Sequence, residues 1–218
     1  MLFIQHELQR AAQNLIADNI KAGEHVLIVS SSDQSRELID AIISAASSSL
    51  AETVSAIIIA APLSLKDYAH PPAVIAAVES ADLTIVATTL RFPRAYDDLS
   101  QALFRAGKRQ VLINNAPLED FSRGASLAVP KELRRRTSKL ATNISNSNTV
   151  RVTSTSGTNL KVSVCRPCIA LTGTAEEDTG FGSFPSGEAM LCPEEGTAEG
   201  RFIADSFGQV VYLDGSGP

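Results

Sequence analysis

Four short, β-branched apolar runs, at residues 26–29, 57–59, 83–86 and 111–113, constrain this chain more than any other feature. They recur at intervals of roughly 30 residues, the length of a strand–helix–strand repeat. Continuous rather than alternating apolar runs suit strands covered on both faces, as in a parallel sheet. The segments between them carry helix signals. Residues 33–48 open on Asp33, an N-cap candidate, and place Leu38, Ile42, Ile43 and Ala46 on one face. Residues 73–81 follow Pro71-Pro72, and residues 95–106 stop at Gly107. An amphipathic helix over residues 5–21 precedes the first strand, and another over 131–146 follows Pro130. Right-handed crossovers then predict an α/β fold, an open, mostly parallel doubly wound sheet with helices on both faces.

The pattern changes at the Ser/Asn-rich turn over residues 145–148. Residues 150–153 and 160–164 alternate apolar and polar side chains around Ser156-Gly157-Thr158-Asn159, the signature of a hairpin. Further short strands are expected at 189–192, 200–204 and 209–213. The expected organisation is a Rossmann-like α/β domain over 1–147 and a small antiparallel β-rich unit over 148–218, its last strand an open edge.

Composition narrows the function classes. With 44% hydrophobic and 20% charged residues the chain is that of a globular protein. A net charge of -5 speaks against a nucleic-acid partner, which calls for clustered Lys and Arg. The basic run Arg134-Arg135-Arg136 reads as a solvated helix face. No apolar stretch approaches the ~20 residues needed to span a bilayer, and the first residues lack a signal-peptide pattern, so a cytoplasmic protein without membrane contact is expected.

The residues with chemical potential are few. Ser30-Ser31-Ser32-Asp33 follows the first strand, where open α/β sheets bind ligands, but it has no glycines to let a phosphate approach the backbone. Asp33 is expected to cap the following helix. Arg91 and Arg94, in Leu90-Arg91-Phe92-Pro93-Arg94 after the third strand, could recognise a carboxylate through bidentate guanidinium contacts. Asn114-Asn115 after the fourth strand offers amides at the same edge. Cys165, Cys168 and Cys192 are too few for a structural zinc site, with no histidine after His70, and are expected to be buried small apolar residues. His6, His25 and His70 are expected to be surface or packing residues.

The most distinctive stretch runs from Phe184 through Pro185-Ser186-Gly187-Glu188 and an apolar strand to Pro193-Glu194-Glu195-Gly196 and Gly200. It resembles the motif of thermophilic-type metallo-aminopeptidases (aminopeptidase T class), a framework shared by the ring-opening dihydroxypyridine dioxygenases. Ser156-Gly157-Thr158-Asn159-Leu160 is similar to the Gly-Thr-Asp-Leu hairpin of the same families, and Lys21-Ala22-Gly23-Glu24 to their stretch before the first strand. The resemblance implies that Glu188 matches the first carboxylate of a two-metal site, whose other ligands lie farther along than residue 218. A two-metal centre needs several carboxylates and imidazoles, and a non-haem iron site two histidines and a carboxylate. A truncated relative with no metal and no cofactor is therefore expected.

On this reading the chain is a non-catalytic peptide-binding accessory protein, binding a peptide or precursor peptide of a ribosomal natural-product pathway, with Arg91, Arg94, Phe184 and Glu188 as the ligand-binding residues. An open strand edge would add an extended peptide by β-augmentation. The alternatives are a metal-dependent aminopeptidase or ring-opening dioxygenase that takes ligands from another chain, and a purely structural subunit. A homodimer is expected, because a two-fold interface would cover the apolar faces of the small unit.

Overall fold

In the computed structural model, which describes residues 2–61, 68–89, 97–113, 118–165, 167–175 and 180–203, the four apolar runs become parallel strands. They are β1 (His25–Ser31), β2 (Thr53–Ile59), β3 (Leu83–Ala87) and β4 (Arg109–Leu112). The helices are α1 (Leu2–Ala17), α2 (Arg36–Ser47), α3 (Pro72–Ser80), α4 (Asp98–Arg105), α5 (Leu118–Phe121) and α6 (Pro130–Ser145), with a 3-10 turn at Gly124–Leu127. The later strands are β5 (Thr149–Thr153), β6 (Asn159–Ser163), β7 (Ile169–Leu171), β8 (Phe181–Ser183), β9 (Glu188–Met190) and β10 (Glu199–Arg201).

The main sheet runs in the order β2-β1-β3-β4-β8. Alternation along β1 explains why both of its faces are apolar. Val26 and Ile28 join a core with Leu8, Leu15, Leu38 and Ile42 of α1 and α2, while Leu27 and Val29 join a second core with Val74, Val78, Leu99 and Leu103 of α3 and α4. Each such side chain taken fully out of water stabilises by about 1.5–3 kcal/mol. The doubly wound α/β architecture expected from the runs is thus present. β2 differs from its expected double burial: it lies at the sheet edge, where Ile58 keeps 46% of its surface exposed.

β8 was not foreseen. Phe181-Gly182-Ser183 has no apolar run, yet it extends the sheet by pairing parallel to β4, with Val111 opposite Gly182. The glycine is required, because a Cβ there would stand 2.6 Å from the Thr174 carbonyl carbon.

The chain forms two compact units. One comprises Met1–Ser138 with Ala170–Ala189, the other Lys139–Ile169 with Met190–Pro218. Residues 170–189, placed by the sequence in the β-rich unit, thus return to the first unit, carrying β8. In the second unit β5 and β6 form the expected antiparallel hairpin, and β10 adds to β6, giving the order β10-β6-β5. β7 and β9 make a two-stranded pair. The strand expected at 209–213, and with it the open edge, lies outside the described residues. Among the described residues no helix is long and apolar enough to cross a membrane.

Candidate functional site

The strand order changes direction between β1 and β3, so their carboxyl ends frame the crevice where open α/β sheets place ligands. The serines there are used for structure. Ser30 Oγ donates to the Ala87 carbonyl at 2.8 Å, and Ser32 Oγ accepts the Ala61 N–H at 3.1 Å. Ser31 Oγ accepts the Thr89 N–H at 3.1 Å, and the Thr89 hydroxyl donates to Asp33 Oδ2 at 2.7 Å. The hydroxyls of Ser31 and Thr89 beside Asp33 hold its carboxyl below the usual carboxylate range. Asp33 therefore does not cap α2, as the sequence suggested. Ser35 does, accepting the Leu38 N–H at 3.3 Å. The helix starts two residues later than expected, which frees Asp33 to bind across the crevice.

A second cluster joins the starts of α3 and α4. His70 Nδ1 lies 2.5 Å from Asp98 Oδ1 and 3.5 Å from Asp97 Oδ1. The His70 backbone N–H donates to Asp98 Oδ2 at 2.8 Å. Burial alone would raise the Asp98 carboxyl, but the side-chain and backbone hydrogen bonds from His70 outweigh it and hold it below its ordinary range. An ionised Asp98 only accepts, so Nδ1 of His70 carries the proton between them. Asp97 Oδ2 caps α4, accepting from the Ser100 N–H at 3.1 Å and the Ser100 hydroxyl at 2.7 Å. Tyr68 sets its ring edge-on to His70 at 5.1 Å, and burial together with the charges of Asp98 and Asp97 pushes its phenol up.

Among the described residues this trio is the group of His, Cys, Asp and Glu side chains whose ligand atoms converge, all within 4.8 Å of one another. Its polar atoms are engaged in tying the loop before α3 to the start of α4; Asp97 Oδ1 alone of the carboxylate oxygens in the pair is buried without a hydrogen bond. From the sequence His70 is expected to be a surface or packing residue. Its acidic partners sit 27 and 28 positions away, a pairing that periodicity does not reveal.

The Pro-x-Gly-Glu turn points its two ends in opposite directions. Phe184, expected to bind ligand, is buried in the first core, where its ring lies 5.7 Å from that of Phe121. Ser186 Oγ donates to the Leu171 carbonyl at 3.1 Å. Gly187 passes over Leu133, whose Cδ1 would lie 2.7 Å from a Cβ at that position. Glu188, the first residue of β9, is exposed. Phe184 thus anchors the turn and Glu188 is what the turn presents. Arg91 and Arg94, and Asn114-Asn115, lie outside the described residues.

At the amino edge of the same sheet charges are paired. Arg109 donates to both oxygens of Glu24 at 2.6 and 2.7 Å and to the Asn19 carbonyl at 3.0 Å. Lys108 binds Asp82 at 3.0 Å. This end is opposite the strand termini where ligands gather in such sheets.

A fit to the metal centre implied by the resemblance can be tested at Glu188. It belongs to no converging group of three or more ligand side chains among the described residues. The described residues therefore do not form such a centre around Glu188 by themselves.

A family model described as 2,5-dihydroxypyridine 5,6-dioxygenase matches residues 7–211. The solved structure of 2,5-dihydroxypyridine dioxygenase from Pseudomonas putida KT2440 is similar to this chain, with a TM-score of 0.65 and 19% sequence identity over 89% of this chain. The match covers 57% of that protein's chain. Wild-type AmpT from Thermus thermophilus matches with a TM-score of 0.49 and 12% identity, over 89% of this chain and 63% of that one. No curated protein matches.

Proposed function

The chain belongs to the 2,5-dihydroxypyridine 5,6-dioxygenase family, and from that premise we propose that it is a scaffold part of a metal-dependent ring-opening enzyme acting on a dihydroxypyridine-like substrate. Glu188 supplies one carboxylate, and polypeptide that this sequence does not contain supplies the histidines. The observation carrying this reading is Glu188 itself. It is an exposed carboxylate at the start of a strand, held out by a turn anchored on buried Phe184, inside a family match that runs through both units. A non-haem iron bound there would supply dioxygen activation. The part of this chain is to hold a carboxylate in place and to provide the surrounding scaffold.

The peptide-binding accessory role expected from the sequence has its support in the motif resemblance only, and the same experiment separates the two. The purified chain is titrated calorimetrically with 2,5-dihydroxypyridine and with extended peptides, and its iron content is measured alone and after assembly with a histidine-bearing polypeptide of the family. The proposal expects dihydroxypyridine binding, negligible iron on the chain alone, and stoichiometric iron in the assembly that is lost on Glu188→Ala. Peptide binding without dihydroxypyridine binding would replace it with the accessory role. Light scattering of the same sample reports whether the expected homodimer forms.

A further inference from the structure

Cys165 and Cys192 face each other across an antiparallel bridge of the second unit. The bridge pairs Val164 with Pro193, and the Glu194 N–H donates to the Ser163 carbonyl at 3.0 Å. In this register the next residues outward, Cys165 and Cys192, stand directly opposite, with side chains on the same face. The Cys165 thiol lies 3.9 Å from the Cys192 carbonyl oxygen. Both residues are exposed, whereas Cys168 is buried, and burial pushes its thiol up.

From this register we propose that Cys165 and Cys192 form a reversible oxidation site, closed to a cross-strand disulfide by a small-molecule disulfide such as oxidised glutathione. Opposed residues of an antiparallel pair have Cα atoms about 4.5–5.5 Å apart, inside the range a disulfide spans. Their Cβ atoms, at about 4.5–5.5 Å, must close by up to roughly 1 Å. The bond is therefore strained and readily reduced, as labile disulfides are. A Cys165–Cys168 pairing is disfavoured, because one partner is exposed and the other buried.

The chemistry balances in two exchanges. The thiolate of one exposed cysteine attacks a sulfur of oxidised glutathione, whose S–S bond breaks and releases one glutathione thiolate. The opposing cysteine loses its proton to solvent and attacks the protein sulfur of the mixed disulfide, releasing the second glutathione. Two protein thiols are oxidised and one glutathione disulfide is reduced.

The test incubates the purified chain with oxidised glutathione and digests it, unreduced, with a glutamate-specific protease. Cleavage after Glu176 or Glu177 and after Glu188 separates the Cys165/Cys168 peptide from the Cys192 peptide. The expected result is a cross-link between these two peptides, mapped by mass spectrometry to Cys165. Free thiols fall from three per chain to one, and dithiothreitol restores them. Cys168→Ser leaves the cross-link intact, whereas Cys165→Ser or Cys192→Ser replaces it with a glutathione adduct on the remaining exposed thiol. A Cys165–Cys168 bond, stable glutathione adducts on both exposed cysteines, or no reaction at either would overturn the proposal.

Discussion

Asn19 and Arg109 show what a few buried polar groups do in the first unit. Asn19 donates to the Leu15 and Gly173 carbonyls at 2.8 and 3.1 Å and accepts the Ala175 N–H at 2.8 Å. It ends α1 and ties residues 173–175 to it. Arg109 then bridges Asn19 and Glu24. Arg109→Ala leaves the Glu24 carboxylate without its bidentate partner, and a loss of about 3 kcal/mol in urea unfolding is expected for breaking such a buried pair. The carboxylates also set an acid limb. Asp33, Asp82 and Asp98 all titrate below their ordinary range: Asp33 through the hydroxyls of Ser31 and Thr89, Asp82 through the His25 N–H and Lys108, and Asp98 through His70 against the opposing effect of burial. Because their folded values lie below the unfolded ones, the unfolded chain binds more protons in acid. Their stabilisation is complete above the ordinary Asp value of about 4 and is lost as pH falls through the folded values. Urea midpoints should drop between neutral pH and about pH 3, and Asp98→Asn should shrink that drop while lowering the neutral midpoint. An unchanged acid limb in Asp98→Asn would remove the His70 pair from this account.

At the level of elements, the capping of α2 separates two readings of one short stretch. Ser35→Ala should cost about 1 kcal/mol, the usual value of an N-cap, while Asp33→Ala leaves the helix intact and removes the carboxylate's contacts with the Ser31 and Thr89 hydroxyls. Chemical denaturation with helix-sensitive dichroism distinguishes them. Two glycines hold strands in place, β10 within reach of the strand expected at 200–204 and β8 where patterning announces none. In β10, Gly200 has φ +118 and its absent Cβ would overlap the Asn159 carbonyl oxygen, so Gly200→Ala should strip β10 from β6. Amide exchange at residues 159–161 and 199–201 would show the loss. Gly182→Ala should unseat β8 from β4 for the steric reason given by Thr174. β1, β3 and β4 were legible because apolar runs of four or so residues announce buried strands. β8 was not, because it is held by a close backbone approach rather than by apolar side chains.

For the molecule as a whole, the disulfide proposed between Cys165 and Cys192 would enclose Glu188 in a covalent loop, so the proposed oxidation and the proposed Glu188 site share one stretch of chain. The sequence by itself determined the α/β class, the helix-covered parallel sheet and the hairpin of the second unit, because apolar periodicity and turn chemistry act locally. It also located the Glu188 turn, because the Pro-x-Gly-Glu spacing is local. Only the tertiary structure decided that Phe184 faces inward while Glu188 faces out, that Asp33 bonds Thr89 rather than a helix end, and that residues 170–189 return to the first sheet. It likewise joined His70 to Asp97 and Asp98, and set Cys165 opposite Cys192 beside the Val164–Pro193 bridge. Each of these depends on residues distant in the chain meeting through strand order and register, and no local periodicity encodes such meetings.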